Sequence, residues 1–333
     1  MITLAQAQNF TRDKLWLGVV DNLREDNLLE MMVFDNTAAL SGGSTLNYVY
    51  NVMKVRSTAA FRAINSEYTA SEASTDTKTV QLKILGGSYK IDRVIRKHVK
   101  GIEEQEAFQL REKIKAIKRG YAKCFIAGDT STDDKQFDGV DKLMAANMKL
   151  DNNIDLSTAA LITSNYTALT DAFRDMQAQM DGAPSAFFCS PEGYALIQKI
   201  ADRAAGFTIT KDNFGKETFY FNGTVFVPLG DVTGSEYNVI PTDAATGKTA
   251  FYPIRIGEDG VHGICPDDNS AGIAVYPINT AETSAVNEGG CEMVTAIAVK
   301  STRAVGKISV KINDVTSGGS SQTGGGNEDS ETT

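Results

Sequence analysis

The chain has 333 residues, with 33 Lys and Arg against 42 Asp and Glu for a net charge of −9; 42% are hydrophobic and 23% charged. That composition is globular and excludes wholesale disorder, and no apolar run reaches the ~20 residues of a membrane-spanning helix. The acidic balance argues against a nucleic-acid reader, which gains affinity by neutralising phosphates with a basic patch, but it sets no bar to a protein that only surrounds nucleic acid.

Residues 1–46 read as an arm rather than a compact domain. Residues 1–6 lack the basic-then-apolar plan of a secretory signal. Residues 15–23 are apolar-rich and hold the only tryptophan, Trp16. Leu28, Leu29, Met31, Met32 and Val33 form a second apolar cluster, and Ser41-Gly42-Gly43-Ser44 interrupts the run. Apolar anchors without a sustained period are expected to bury against something outside the arm.

Residues 46–92 are expected to form a long two-stranded ribbon. Tyr48-Val49-Tyr50-Asn51-Val52 favours strand, and Thr79-Val80-Gln81-Leu82-Lys83-Ile84 alternates apolar with polar. Residues 56–78 are rich in Ser, Thr, Ala, Glu and Asp and carry too few large apolar side chains for a core of their own. Because an isolated two-stranded ribbon is marginal in water, this part is expected to be stabilised by another subunit.

A helix over 102–126 is the strongest signal in the chain. Ala107, Leu110, Ile114, Ile117, Tyr121 and Cys124 recur at helical spacing and make one apolar stripe. Glu103, Glu104 and Glu106 precede Lys113, Lys115, Lys118, Arg119 and Lys123, which suits the helix dipole, and Gly128 is placed to end the element. Such a helix runs to about 40 Å, long enough to lie across another layer as a girder.

Asp129, Asp133, Asp134, Asp138 and Asp141 follow the helix. Hard cations take several carboxylate oxygens, but a calcium loop counted from Asp134 puts Ala145 where the bidentate Glu belongs. A solvated acidic loop is the expectation, with no metal site.

Helix and strand signals then alternate. Leu169, Phe173, Met176 and Met180 form a second helical stripe, ended by Gly182. Residues 186–189 read as a short buried strand. Ser190-Pro191-Glu192 starts a helix, with Ser as N-cap and Pro at the first helical position; Tyr194, Ile197 and Ala201 are its buried face. Residues 219–229 read as strand, Asn222-Gly223 turn, strand. Residues 293–298 and 307–312 are expected to pair as a hairpin about Arg303-Ala304-Val305-Gly306. Residues 314–333 are Ser, Gly, Thr and acidic residues, expected to form a disordered tail.

Catalytic chemistry is poorly supplied. Cys124, Cys189, Cys265 and Cys291 form no C-x-x-C pair and read as small buried thiols. His98 and His262 lack motif partners and read as structural. No nucleophile elbow, P-loop, zinc-protease or dinucleotide fingerprint occurs. The sequons at Asn9, Asn165 and Asn222 are chance matches without export. No catalytic, cofactor-binding or metal-binding residue is assigned, and no enzymatic activity is expected.

The order of these parts resembles the major capsid protein of tailed bacteriophages, the Hong Kong 97-type coat fold. The residues that carry the resemblance are Ser88-Tyr89-Lys90-Ile91-Asp92-Arg93 leading into the long helix, and Cys124-Phe125-Ile126-Ala127-Gly128-Asp129 followed by Phe137-Asp138-Gly139-Val140. To these add residues 185–200, Asn222-Gly223-Thr224-Val225-Phe226-Val227, and residues 293–312 with Arg303 at the turn.

The resemblance implies an α+β fold with an N-terminal arm (1–46), an E-loop (47–92), a peripheral domain (93–154) holding the spine helix 102–126, an axial domain (155–288), a return hairpin to the peripheral domain (289–313) and the tail (314–333). It implies self-assembly of hexamers and pentamers into an icosahedral head shell around packaged double-stranded DNA, bound without sequence readout and without a membrane. It also implies a separate scaffolding protein, a portal, decoration proteins as further candidates, no cofactor, and a virion location after assembly in the bacterial cytoplasm. Trp16, Arg56, Arg62, Glu67, Tyr68, Glu72, Asp76 and Lys78 are the candidate inter-subunit contacts. An encapsulin-like compartment shell and, farther off, a soluble α/β enzyme are the competing readings.

Overall fold

The computed structural model describes residues 28–35, 46–98, 102–204, 206–211, 217–230, 239–266, 273–278 and 285–313. Trp16, most of the arm and the tail from 314 lie outside the described residues.

In chain order, a short helix α1 (Leu28–Met31) leads to β1 (Phe34–Asp35), β2 (Asn47–Val55), β3 (Ser74–Gln81) and β4 (Lys83–Asp92). Helices α2 (Arg93–His98), α3 (Ile102–Ala127) and α4 (Val140–Leu143) follow, then β5 (Lys149–Asp155), α5 (Ala159–Gln179), β6 (Ala186–Cys189) and α6 (Pro191–Ala201). The remaining strands are β7 (Phe207–Lys211), β8 (Glu217–Phe221), β9 (Thr224–Pro228), β10 (Lys248–Ile254), β11 (Val261–Ile264), β12 (Ile273–Tyr276), β13 (Val286–Val299) and β14 (Lys307–Lys311). Among the described residues these make three sheets: β1-β11-β13-β12 with β4 also on β13, the seven-stranded β5-β14-β10-β6-β9-β8-β7, and the pair β2-β3.

The long helix forms as its periodicity requires. Ile117 and Tyr121 are buried and Leu110, Ile114 and Cys124 half-buried, but Ala107 is exposed, so the stripe begins at Leu110. The N-terminal half of α3 lies over Tyr89 and Ile91 of β4, and its C-terminal end enters the main core at Phe125 and Ile126. Gly128 ends the helix for a steric reason. A Cβ there would stand 2.2 Å from the Phe137 carbonyl oxygen and 2.5 Å from that of Cys124.

The seven-stranded sheet is held by an aromatic cluster. Phe173 of α5 sits 5.1 Å from Phe187, 5.4 Å from Phe251, 5.6 Å from Phe221 and 5.7 Å from Phe226 between ring centroids. Its neighbour in β6, Phe188, turns to the opposite face and meets Phe125 of α3 at 6.5 Å. Alternation along one buried strand therefore joins α3 to this sheet. At α6 the Ser190 hydroxyl accepts from the Gly193 amide as an N-cap, with Pro191 following. Asn222 and Gly223 both take positive φ, 47° and 82°, as a two-residue turn of this hairpin class needs.

Two pairings differ from the sequence reading. The ribbon ends at Gln81: β4 leaves it and pairs instead with β13 over ten rungs, from Val286↔Asp92 to Thr295↔Lys83. The two strands of the expected closing hairpin do not pair with each other. β13 joins β4, β11 and β12, whereas β14 joins β10 and β5 in the other sheet. The link between them is a crossing point, tied down by a Val305↔Ile254 bridge and a Gly306 amide to the Pro253 carbonyl. Alternation marks a strand but does not name its partner.

Candidate functional site

The ribbon has a buried root and an exposed tip. On β2 the inward residues Tyr48, Tyr50 and Val52 are 4%, 6% and 9% exposed. The Tyr48 hydroxyl donates to Asp35 Oδ2 of β1 at 2.7 Å, and the Tyr50 hydroxyl meets the backbone of Val299 at the end of β13. The Leu82 amide donates to the Leu46 carbonyl at 2.8 Å and closes the base. Beside the root runs a groove of about 550 Å³, lined by Lys78, Val80, Phe137, Asp138 and Leu143 among others.

Beyond Val52 every residue from 53 to 77 is exposed. Phe61 and Ile64 are 108% and 91% exposed. Local bonds nevertheless shape the tip. The Thr58 amide donates to Ser71 Oγ at 2.9 Å, and Arg62 lies over the Tyr68 ring at 5.2 Å while donating to the Ser66 carbonyl at 3.2 Å.

The structure brings most of the sequence-derived contact candidates to this one projection. Arg56, Arg62, Glu67, Tyr68 and Glu72 lie on its loop, Asp76 and Lys78 on β3; all are exposed except Lys78, which is half-buried at the groove, and Trp16 lies outside the described residues. Among the described residues none of the charged members forms an ion pair within the subunit. The loop residues have no core to join, which is why their polar composition was readable.

The acidic cluster is a different object. Lys142 Nζ reaches Asp129 Oδ1 at 2.6 Å, Asp138 Oδ1 at 2.7 Å, Thr130 Oγ1 at 3.0 Å and Ser131 Oγ at 3.1 Å. A lysine ammonium thus neutralises two carboxylates of the cluster. It holds the Asp129 carboxyl down at about 2, helped by the Ser131 amide. For Asp138, burial works against ionisation, but bonds from Lys142 and Thr130 outweigh it and its pKa falls. Asp141 is bound separately, by Lys307 at 2.9 Å. Among the described residues no His, Cys, Asp or Glu group is arranged to hold a metal.

His262 of β11 was legible only as a strand residue. It is fully buried, and its ring meets Tyr48 edge-on with centroids 5.9 Å apart. The signal that could have found it, the pairing of β11 beneath the ribbon root, exists only in three dimensions.

The fold has known counterparts. The chain is similar to the holo-SrpI encapsulin complex of Synechococcus elongatus PCC 7942 at 16% identity and TM-score 0.61, covering 95% of this chain and 97% of that one. It is similar to the capsid of a native GTA particle at 14% identity and TM-score 0.57, with coverages of 89% and 92%. To the capsid of Myoviridae phage XM1 it has 12% identity and TM-score 0.54, with coverages of 93% and 99%. The chain has the fold of capsid shells. Neither a family model nor a curated protein matches the sequence. This mixed α+β capsid fold spans nearly the full length of the shell proteins it resembles, and among the described residues no helix is long and apolar enough to cross a membrane.

Proposed function

We propose that the chain is the major capsid protein of a tailed phage, with the Hong Kong 97-type arrangement of E-loop, spine helix, peripheral domain and axial domain. On this reading it has no enzymatic role. The ribbon β2-β3 is the E-loop and lies across a neighbouring copy, α3 is the spine helix, and the seven-stranded sheet with α5 and α6 is the core of the axial domain. Copies assemble as hexamers and pentamers into an icosahedral head in the host cytoplasm, with a separate scaffolding protein and a portal. The shell encloses double-stranded DNA without reading its sequence, and the net charge of −9 keeps genome and wall from adhering.

One observation carries the reading: a ribbon whose root is locked into the core while residues 53–77, Phe61 and Ile64 among them, find no burial in their own subunit. Large apolar side chains held out on a shaped loop call for a partner surface. Individual ion pairs there contribute about 0–1 kcal/mol, so repetition over many contacts holds the shell and weak single contacts let misplaced subunits leave.

The encapsulin-like compartment is the second reading, supported by the likeness to the cyanobacterial encapsulin along 95% of this chain. The test is expression with and without a scaffold partner, read by sedimentation and negative-stain microscopy. Closed shells are expected from the full chain, and deletion of residues 58–77 is expected to leave a folded subunit that forms none. A soluble monomer from the full chain under both conditions would overturn the reading. Nuclease-protected DNA inside particles from the natural source favours the phage capsid, and a co-purifying cargo enzyme the compartment.

A further inference from the structure

His262 has both ring nitrogens buried with no hydrogen-bond partner among the described residues. A neutral imidazole tolerates such a site poorly and a charged one far worse, since protonation creates a buried cation with two N–H donors and nothing to accept them. The site is roofed by the ribbon. Tyr48, its first inward-facing side chain, packs on the imidazole edge-on at 76°. Tyr50 stacks obliquely on Tyr48 at 5.9 Å, so the ring system of the root rests on this histidine.

The titratable and charged groups around it are few. Asp35 on β1 accepts from the Tyr48 hydroxyl at 2.7 Å and attracts a charged imidazole, while Lys300, just after β13, repels one. Burial is the largest influence: with Lys300 adding to it and Asp35 opposing, the pKa is pushed down from 6.5 to about 4.

We infer that His262 is a proton-sensitive latch under the ribbon: while neutral it lets Tyr48 and Tyr50 seat on the body, and on taking up a proton it drives the root off its seat into water. The bonds at risk are the Tyr48–Asp35 hydrogen bond and the contact of Tyr50 with Val299. Acid thereby frees the ribbon to change its angle without unfolding the seven-stranded sheet, which packs elsewhere. The importance of this movement for assembly rests on the proposed function, but the movement itself does not.

The size of the effect follows from linkage. An imidazole released to solvent titrates near 6.5 and the seated one at about 4, so proton binding favours the open form below 6.5. The opening equilibrium grows by about tenfold per pH unit across that window, or about 30-fold between pH 7.5 and pH 5.

The experiment is hydrogen exchange on the full-length unassembled subunit, as protection factors corrected for intrinsic pH dependence. Protection of amides 48–52 is expected to fall about 30-fold from pH 7.5 to pH 5, while β6 and β10 stay protected. His262→Phe keeps an edge-on ring without a proton site and is expected to flatten the dependence. Unchanged protection in the wild type, or an equal fall in the variant, overturns the latch. Should His262→Phe not fold, NMR titration of the His262 ring in a His98→Gln background decides. A midpoint near 6.5 with the ribbon still protected overturns the inference, and a midpoint that tracks ribbon opening supports it. Neither readout involves shells, so the latch and the capsid reading fail separately.

Discussion

Replacing Phe61, Ile64 and Tyr68 together by Ser tests whether the ribbon tip joins subunits, as the proposed function requires, without holding its own. These side chains are 108%, 91% and 65% exposed, so the subunit derives almost nothing from them. Its stability is expected to change by less than ~0.5 kcal/mol, the range of ordinary surface substitutions. Burying such a side chain against a neighbour is worth ~1.5–3 kcal/mol. With ~2 kcal/mol for each of Phe61 and Ile64 and ~1 for the partly covered Tyr68, one ribbon forfeits ~5 kcal/mol if fully covered and ~2.5 if half covered. At ~1.4 kcal/mol per factor of ten, the critical concentration for assembly rises by roughly 60-fold to 4,000-fold. Light scattering against protein concentration reads that quantity, and urea titration of the unassembled subunit reads the other. Assembly at the wild-type concentration would refute the burial argument. A urea midpoint that drops in parallel would show that the ribbon tip supports its own subunit after all.

Three further perturbations address the body of the molecule. Phe173→Ala removes the ring shared by Phe187, Phe221, Phe226 and Phe251 and is expected to cost ~3–5 kcal/mol in urea unfolding. Gly128→Ala forces a methyl to 2.2 Å from the Phe137 carbonyl and is expected to cost ~2 kcal/mol or more, with α3 losing amide protection from its C-terminal end. Lys142→Met releases Asp129, whose carboxyl the ammonium holds at about 2 against an ordinary 3.8. A depressed carboxylate contributes stability above its unfolded pKa and loses it as pH falls through the folded one. The wild type therefore loses this contribution between pH about 4 and 2, and the variant's urea midpoints over that window are expected to fall less; superimposable acid limbs would dismiss the pair.

Legibility in the sequence tracked how local each determinant is. Helix α3, the Ser190-Pro191 start of α6 and the Asn222-Gly223 turn depend on residues within a turn or two, and each stands where the spacing put it. Pairing is not local. Lys83–Asp92 alternates as an edge strand would, and among the described residues it pairs only with β13; its partner lies nearly 200 positions away in the chain, which no local pattern discloses. The same blindness produced the hairpin expected about Arg303, because two good strands separated by a short link look alike whether the link reverses or crosses. At the ribbon the charged and aromatic residues were readable from their lack of apolar company. Its seat on Asp35, Val299 and His262 was not, since these meet Tyr48 and Tyr50 only after three separate strands have assembled.

Among the described residues β2 and β3 pair only with each other; a two-stranded sheet invites indiscriminate pairing with other chains, and the composition of β3 answers that hazard. Strand β3 presents Thr75, Asp76, Thr77 and Lys78 where a sheet-forming segment would carry Val or Ile, and Thr77 Oγ1 spends its hydrogen on the Asn51 side chain across the ribbon at 2.8 Å. Although β2 also exposes Val49, Met53 and Val55, the most exposed apolar groups of the ribbon, Phe61, Ile64 and Tyr68, sit on the loop in irregular backbone that cannot serve as a ladder template. Arg62 and Glu67 stand among them. On the proposed function, a neighbouring copy matches the loop's shape and charge rather than merely extending a sheet, so that specificity resides in the tip and geometry in the root.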